Sequence, residues 1–220
     1  MWLGAIVFFV SLGYFLFSYV TSFGQPAGNG PIAPAITWNV ALFTGFALHH
    51  SVFARERIRA AIAAALPEPL ERSFYVWIAS ILFIAVCALW RPVPGVAWRV
   101  EGPLLWGLRA LQGAGVWLTL RSAAILDIGE LAGLKPVART TEFRRTGPYG
   151  WVRHPIYTGW FLIVLAASPM TMTRFVFAVA SCAYLLIAIP LEERSMRRLP
   201  GGGYARYTAQ VKWRLLPNVY

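Results

Sequence analysis

Apolar residues gather in long blocks along the chain, separated by short polar or glycine- and proline-rich stretches. About 20 mostly apolar residues suffice to cross a bilayer, and the blocks predict membrane helices over Trp2–Val20, Ile32–Phe53, Phe74–Trp90 and Leu104–Leu120. A fifth block, Ile156–Leu191, is too long for one crossing and is broken by "SPMTMTR", where Pro169 sits in a polar cluster. It predicts a tight helical hairpin with a short first arm, so the total is six segments. Period-2 alternation is missing, which excludes a membrane barrel. The first block lacks the basic flank and small-residue cleavage site of a secretory leader and reads as a retained span. The expected fold is all-α: a polytopic transmembrane helix bundle forming one membrane domain over 1–220, with four N-terminal helices within 1–126 and a loop, hairpin and tail within 127–220.

Composition agrees. Only 13% of the 220 residues are charged, against roughly 25% in soluble domains, and 58% are hydrophobic, so lipid is the expected solvent. The net charge of +11 then reads as basic flanks beside anionic lipid rather than a nucleic-acid surface. Charge also orients the chain. With the N-terminus in the cytoplasm, sixteen of the 20 Lys and Arg residues fall on inner segments 54–73, 121–155 and the tail after Leu191. Arg91, Arg99 and Arg174 lie outside, with Arg109 near the outer end of the fourth segment. The positive-inside rule favours this layout, with both termini cytoplasmic. Inside the spans, Asn39 and Gln112 are expected to bond between helices. Cys87 and Cys182 lie in apolar runs, and neither a disulfide framework nor a cysteine metal site is expected.

The candidate chemistry lies around the hairpin. In "TGPYGWVRHPIYTGWFL", Pro155 suits the first turn of a helix and pushes His154 out of helical geometry. Arg153 and His154 then sit on the cytoplasmic rim, beside helix-start amides that favour an anion. Gly159, one turn in, admits a ligand or a neighbouring helix. The second arm returns to the same membrane face at "IPLEERSMRR", bringing Glu192 and Glu193 near Arg153–Tyr157. Two acids at a helix C-terminus oppose its dipole at about 0.3–1 kcal/mol each, so they need partners. Glu193 has Arg197 at i+4. Glu192 has no basic residue at i+3 or i+4 and needs Arg153 across the hairpin or a cationic ligand. A site with both signs of charge suits a zwitterionic, partly cationic molecule.

The run "GPYGWVRHPIYTGWF", then "LEER", then "GGGYARYTAQVKWRLLP" resembles the membrane methyltransferases related to isoprenylcysteine carboxyl methyltransferase and phospholipid N-methyltransferase. The triple glycine before Tyr204 departs from the family pattern. Upstream, "ALHHSVFARERIR", "LERSFYVWIASILF", "LWRPVPGVAW" and "LDIGELAGL" are similar to the methanethiol S-methyltransferase branch. The resemblance implies S-adenosylmethionine as cofactor, held by Arg153, His154, Pro155, Tyr157 and Gly159, by Glu192 and Glu193, and by Tyr204 and Tyr207 closing over it. Catalytic roles would fall to Arg153 and Glu192. It also implies a small-molecule or lipid-like acceptor, a thiol being favoured over a prenylcysteine carboxylate or a phospholipid amine. His49 and His50 either border the pocket or pack between helices. A transporter or accessory protein with this fold, or a haem or metal protein using the three histidines, are the competing classes.

Overall fold

A computed structural model describes residues 2–53, 58, 68–134, 143 and 145–220. Most of the basic loop over 54–73, and segment 135–142 of the next loop, lie outside the described residues. All six predicted segments are helical: α1 (Trp2–Val20), α2 (Ile32–Phe53), α3 (Glu68–Leu89), α4 (Pro103–Ile125), α6 (Pro155–Leu165) and α7 (Met172–Arg197). A single turn, α5 (Ile128–Leu131), follows α4, and a short helix, α8 (Gly203–Gln210), follows α7.

Among the described residues, α1, α2 and α7 are long and apolar enough to cross a membrane. The others fall short for physical reasons. α6 has 11 residues, roughly 16 Å of helix, about half of a hydrocarbon core. α4 carries Arg109, Gln112 and Arg121 within its length. Large apolar side chains nevertheless face outward on several helices, among them Trp2, Phe17, Leu104 and Trp106, as expected of a membrane protein.

The chain divides into two interleaved compact units. The first comprises Met1–Arg99, Gly129–Val137 and Ser168–Ser181. Its core is aromatic: fully buried Phe177 meets Phe15, Tyr19, Phe23, Phe43 and Trp90 at ring separations of 5.3–6.2 Å. Asn39 bonds as expected of a buried amide, its Nδ2 donating to the Arg91 carbonyl and its Oδ1 accepting from the Arg91 amide, both at 2.8 Å. Buried Arg174 closes the C-terminus of α1, donating to the carbonyls of Tyr19 and Val20 and, through Nη1, to that of Pro169. The last carbonyls of a helix generally lack an i+4 donor, and a cation there also complements the dipole.

One feature of this unit differs from expectation. Loops without strands were expected, but β1 (Val96–Trp98) and β2 (Met170–Thr171) form an antiparallel pair. Strands of two and three residues are too short to display a period of two.

The second unit comprises Val100–Ile128, Ala138–Ala167 and Cys182–Tyr220. Both α4 and α6 start with proline at the first turn, where its missing N–H has no helical partner to lose. The two helices pack backbone to backbone. A Cβ on Gly115 would stand 2.7 Å from the Gly159 carbonyl oxygen, and one on Gly159 would stand 2.6 Å from that of Gly115 and overlap Thr119 Oγ1. Gln112 seals the same contact by donating to the Ile163 carbonyl at 3.0 Å. Pro190 lies inside α7, where its ring leaves the Leu186 carbonyl without its i+4 donor. The helix continues past it to Arg197, which carries Glu192 and Glu193 to the start of α6.

Candidate functional site

Pro155 sets the geometry of the site. His154 immediately before it has φ −124° and ψ 60°, outside helical space, because the proline ring crowds the preceding residue. Its imidazole is thereby turned toward the end of α7. The chain after α8 crosses the same corner: the amides of Arg153 and His154 donate to the carbonyls of Trp213 and Arg214, both at 2.9 Å. Thr158 Oγ1 donates to the Leu215 carbonyl at 2.8 Å, and Arg153 Nη1 donates to those of Val211 and Lys212 at 3.0 and 2.6 Å. The two backbone amides that precede the helix start are therefore taken by the tail.

At the centre stands Glu193, with only 3% of its side chain exposed. Its Oε1 accepts from Arg153 Nε at 2.8 Å and from His154 Nε2 at 3.3 Å, and its Oε2 from Arg214 Nε and Nη2 at 3.2 and 3.1 Å. Four donors fill the roughly four lone-pair positions of a carboxylate. A carboxylate cannot donate, so a neutral His154 carries its proton on Nε2. Burial holds His154 below its ordinary pKa, outweighing the nearby Glu192 and Glu193 charges that pull it upward.

Glu192 differs from its neighbour. Its side chain is 45% exposed, its Oε2 accepts from Tyr157 Oη at 3.0 Å, and His154 Nδ1 lies 3.9 Å away. The Tyr157 and His154 rings stack with centroids 5.4 Å apart and planes 3° from parallel. The expected partnerships are thus exchanged: Arg153 meets Glu193 rather than Glu192, and Glu193 turns inward instead of pairing with Arg197. On adjacent helical positions the two acids face about 100° apart, and the sequence does not say which one faces inward.

Tyr204 and Tyr207 are buried on α8 and pack with Val211, Phe143 and Met196. Tyr207 Oη donates to the Tyr149 carbonyl at 2.9 Å, fixing α8 to the turn at Gly147–Gly150; burial raises its pKa to about 12. The Tyr204 hydroxyl is buried beside Glu193 and makes no hydrogen bond of good geometry among the described residues; burial, then the Glu193 charge, raises its pKa. Next to Glu193 a recess of about 310 Å³ is lined by Pro190, Glu193, Arg194, Arg197 and Arg214.

The structure therefore brings together Arg153, His154, Pro155, Tyr157, Glu192, Glu193, Tyr204 and Tyr207. Gly159 lies against α4 rather than against open space. His49 and His50 belong to the first unit, where His50 Nδ1 lies 3.0 Å from Tyr75 Oη and His49 stacks on Phe53. Arg214 was not anticipated. Its signal was weak: one arginine among many, in a tail without regular structure.

Comparison with known proteins points the same way. The profile of the isoprenylcysteine carboxyl methyltransferase family matches residues 117–198, a range that contains both halves of the corner. Methanethiol S-methyltransferase 1 of Bradyrhizobium diazoefficiens is 35% identical over 219 residues, covering 94% of this chain and 77% of its own. The methanethiol S-methyltransferase of Crocosphaera subtropica is 32% identical, covering 82% and 74%. That of Mycobacterium tuberculosis is 33% identical, covering 96% and 92%. No solved structure matches the chain. With relatives this similar along almost the whole chain, the protein belongs to the family of membrane methyltransferases that includes these methanethiol S-methyltransferases.

Proposed function

We propose that this methyltransferase uses S-adenosylmethionine to methylate the sulfur of a small thiol, with the donor held where the start of α6, the end of α7, α8 and the tail meet. The observation that carries the reading is the division of labour between two adjacent acids. Glu193 is saturated by Arg153, His154 and Arg214, whereas Glu192 remains half-exposed with accepting capacity to spare.

The residues fit such a donor. The Glu192 carboxylate and Tyr157 suit a cationic sulfonium and ammonium, and the Tyr204 hydroxyl, which makes no well-formed hydrogen bond among the described residues, is a donor suited to a sugar hydroxyl. The neighbouring recess, at about 310 Å³, lies at the small end of ligand sites. Its arginines suit a carboxylate.

When bound, S-adenosylmethionine supplies a methyl group on a sulfonium, whose departure leaves a neutral thioether. Among the described residues nothing at the corner resembles an activated nucleophile, so the side chains serve to bind, orient and exclude water. Glu193 fixes the guanidinium of Arg153. The thiol reacts in its ionised form, which is the nucleophilic form, its proton having been lost to solvent. Neutral His154 keeps its Nε2 proton on Glu193 and presents an unprotonated Nδ1 toward Glu192. Six membrane segments, both termini in the cytoplasm and a donor site facing it are part of the proposal, supported by the concentration of Lys and Arg on the inner segments.

The test is methyl transfer by detergent-purified protein from labelled S-adenosylmethionine, with methanethiol and other small thiols, prenylcysteine analogues and aminophospholipids offered in parallel. Label in a thioether is expected. Label only in an ester or amine overturns the choice of acceptor, and donor binding without transfer to any acceptor overturns the catalytic reading.

A further inference from the structure

The geometry points to Arg214, on the tail, as the residue that recognises the carboxylate of the methyl donor. This assignment rests on the S-adenosylmethionine reading above and adds to it a residue of the quoted tail segment "KWRLLP" to which the resemblance gave no role. It starts from a charge count. The single negative charge of Glu193 is shared by two guanidinium groups, Arg153 at 2.8 Å and Arg214 at 3.1 Å. With His154 neutral, Glu193 compensates only one of the two, and Glu192, the other acid of the corner, bonds Tyr157 rather than either guanidinium.

Exposure decides which of the two is available. The Arg153 side chain is 9% exposed and is turned onto the Val211 and Lys212 carbonyls. The Arg214 side chain is 29% exposed and lines the recess. It is also held in place, with Nε and Nη2 on Glu193, Nη1 on the Tyr220 hydroxyl at 3.0 Å, and the guanidinium 5.1 Å from the Tyr220 ring. A guanidinium has five N–H bonds; these three contacts leave one on Nη1 and one on Nη2. Such a pair matches the two oxygens of a carboxylate. The backbone is pinned as well, because the Arg214 carbonyl accepts the His154 amide at 2.9 Å. Arg194 and Arg197 line the same recess without comparable anchoring among the described residues.

The experiment compares binding of S-adenosylhomocysteine and its decarboxylated analogue to the purified full chain, by calorimetry, so that no turnover is needed. The wild-type protein is expected to prefer the carboxylate-bearing ligand by roughly tenfold or more, the range of a charge-assisted hydrogen bond. Arg214→Gln should bind both ligands alike, with affinity for the decarboxylated analogue within about twofold of wild type. Its retention of that ligand reports that the site is folded. Arg214→Lys, which keeps the charge and loses the fork, should retain part of the preference. A full preference in Arg214→Gln, or an equal loss of both ligands in Arg214→Gln and Arg214→Lys, overturns the assignment. Failure of the wild-type protein to bind either ligand overturns the donor reading itself.

Discussion

Arg153 and Glu193, forty residues apart in the sequence, form a 2.8 Å ion pair at the junction of two helix ends, and each side chain is less than one-tenth exposed. A pair so withdrawn from water holds only while both members are present. Each charge compensates the desolvation of the other, and the remaining lone pairs of Glu193 are met by His154 and Arg214. Removing one member leaves the rest uncompensated, which costs about 3–5 kcal/mol. Glu193→Ala should therefore lower the thermal midpoint of the detergent-solubilised protein by on the order of 10 °C. A midpoint close to wild type would show that the pair does not organise this corner.

Tyr204→Phe should separate binding from folding. The hydroxyl is buried and makes no well-formed hydrogen bond among the described residues, so its removal relieves a desolvated group and forfeits only a weak contact with Glu193. The midpoint should stay within about 2 °C of wild type or rise slightly. Affinity for S-adenosylhomocysteine should fall by roughly 2- to 10-fold if the hydroxyl meets the donor. Unchanged affinity would remove Tyr204 from the donor site.

His154 gives the corner a pH dependence of known sign. Burial lowers its folded-state pKa from the ordinary 6.5, so on acidification the unfolded chain takes up the proton first. The stability this imidazole contributes is complete above about pH 6.5 and is lost as pH falls from there through the lowered folded pKa. Thermal midpoints measured from pH 8 down to 5.5 should be flat at first and then decline. In His154→Gln that part of the decline should vanish, and a decline of equal size in the variant would contradict the assignment.

The α4–α6 contact tolerates no added methyl group. Gly115→Ala and Gly159→Ala each drive a Cβ onto the facing backbone, an overpacking that costs about 1–3 kcal/mol. Each variant should lower the midpoint, and the double variant should lose less than the sum because both relieve themselves by the same separation of helices. Full additivity would show that the glycines do not share one contact.

Much of this architecture was legible because lipid imposes a simple code. Apolar blocks marked the six helices other than the short α5 and α8, and Trp2–Val20 and Ile32–Phe53 match the structure end to end. Pro155 announced a helix start, and the break at Pro169 announced the return that carries Glu192 and Glu193 back to Arg153. What could not be read depended on rotation and on the tail. A 100° turn about α7 decides which acid is buried, and nothing in "LEER" encodes it. Arg214 reaches Glu193 only because the segment after α8 folds back over the α6 start, through backbone bonds that carry no side-chain signature. Gly159 could serve a ligand or a helix, and only the position of Gly115 resolves the choice.

Photolabelling bears most directly on the central claim, that the meeting point of α6, α7, α8 and the tail holds the methyl donor. S-adenosylmethionine would be crosslinked to the purified protein by ultraviolet light, with excess S-adenosylhomocysteine as competitor, and the modified peptides identified by mass spectrometry. Competable label on peptides containing Arg153–Tyr157, Glu192–Glu193 or Tyr204–Arg214 is the predicted result; competable label confined to α1, α2 and α3 would contradict it.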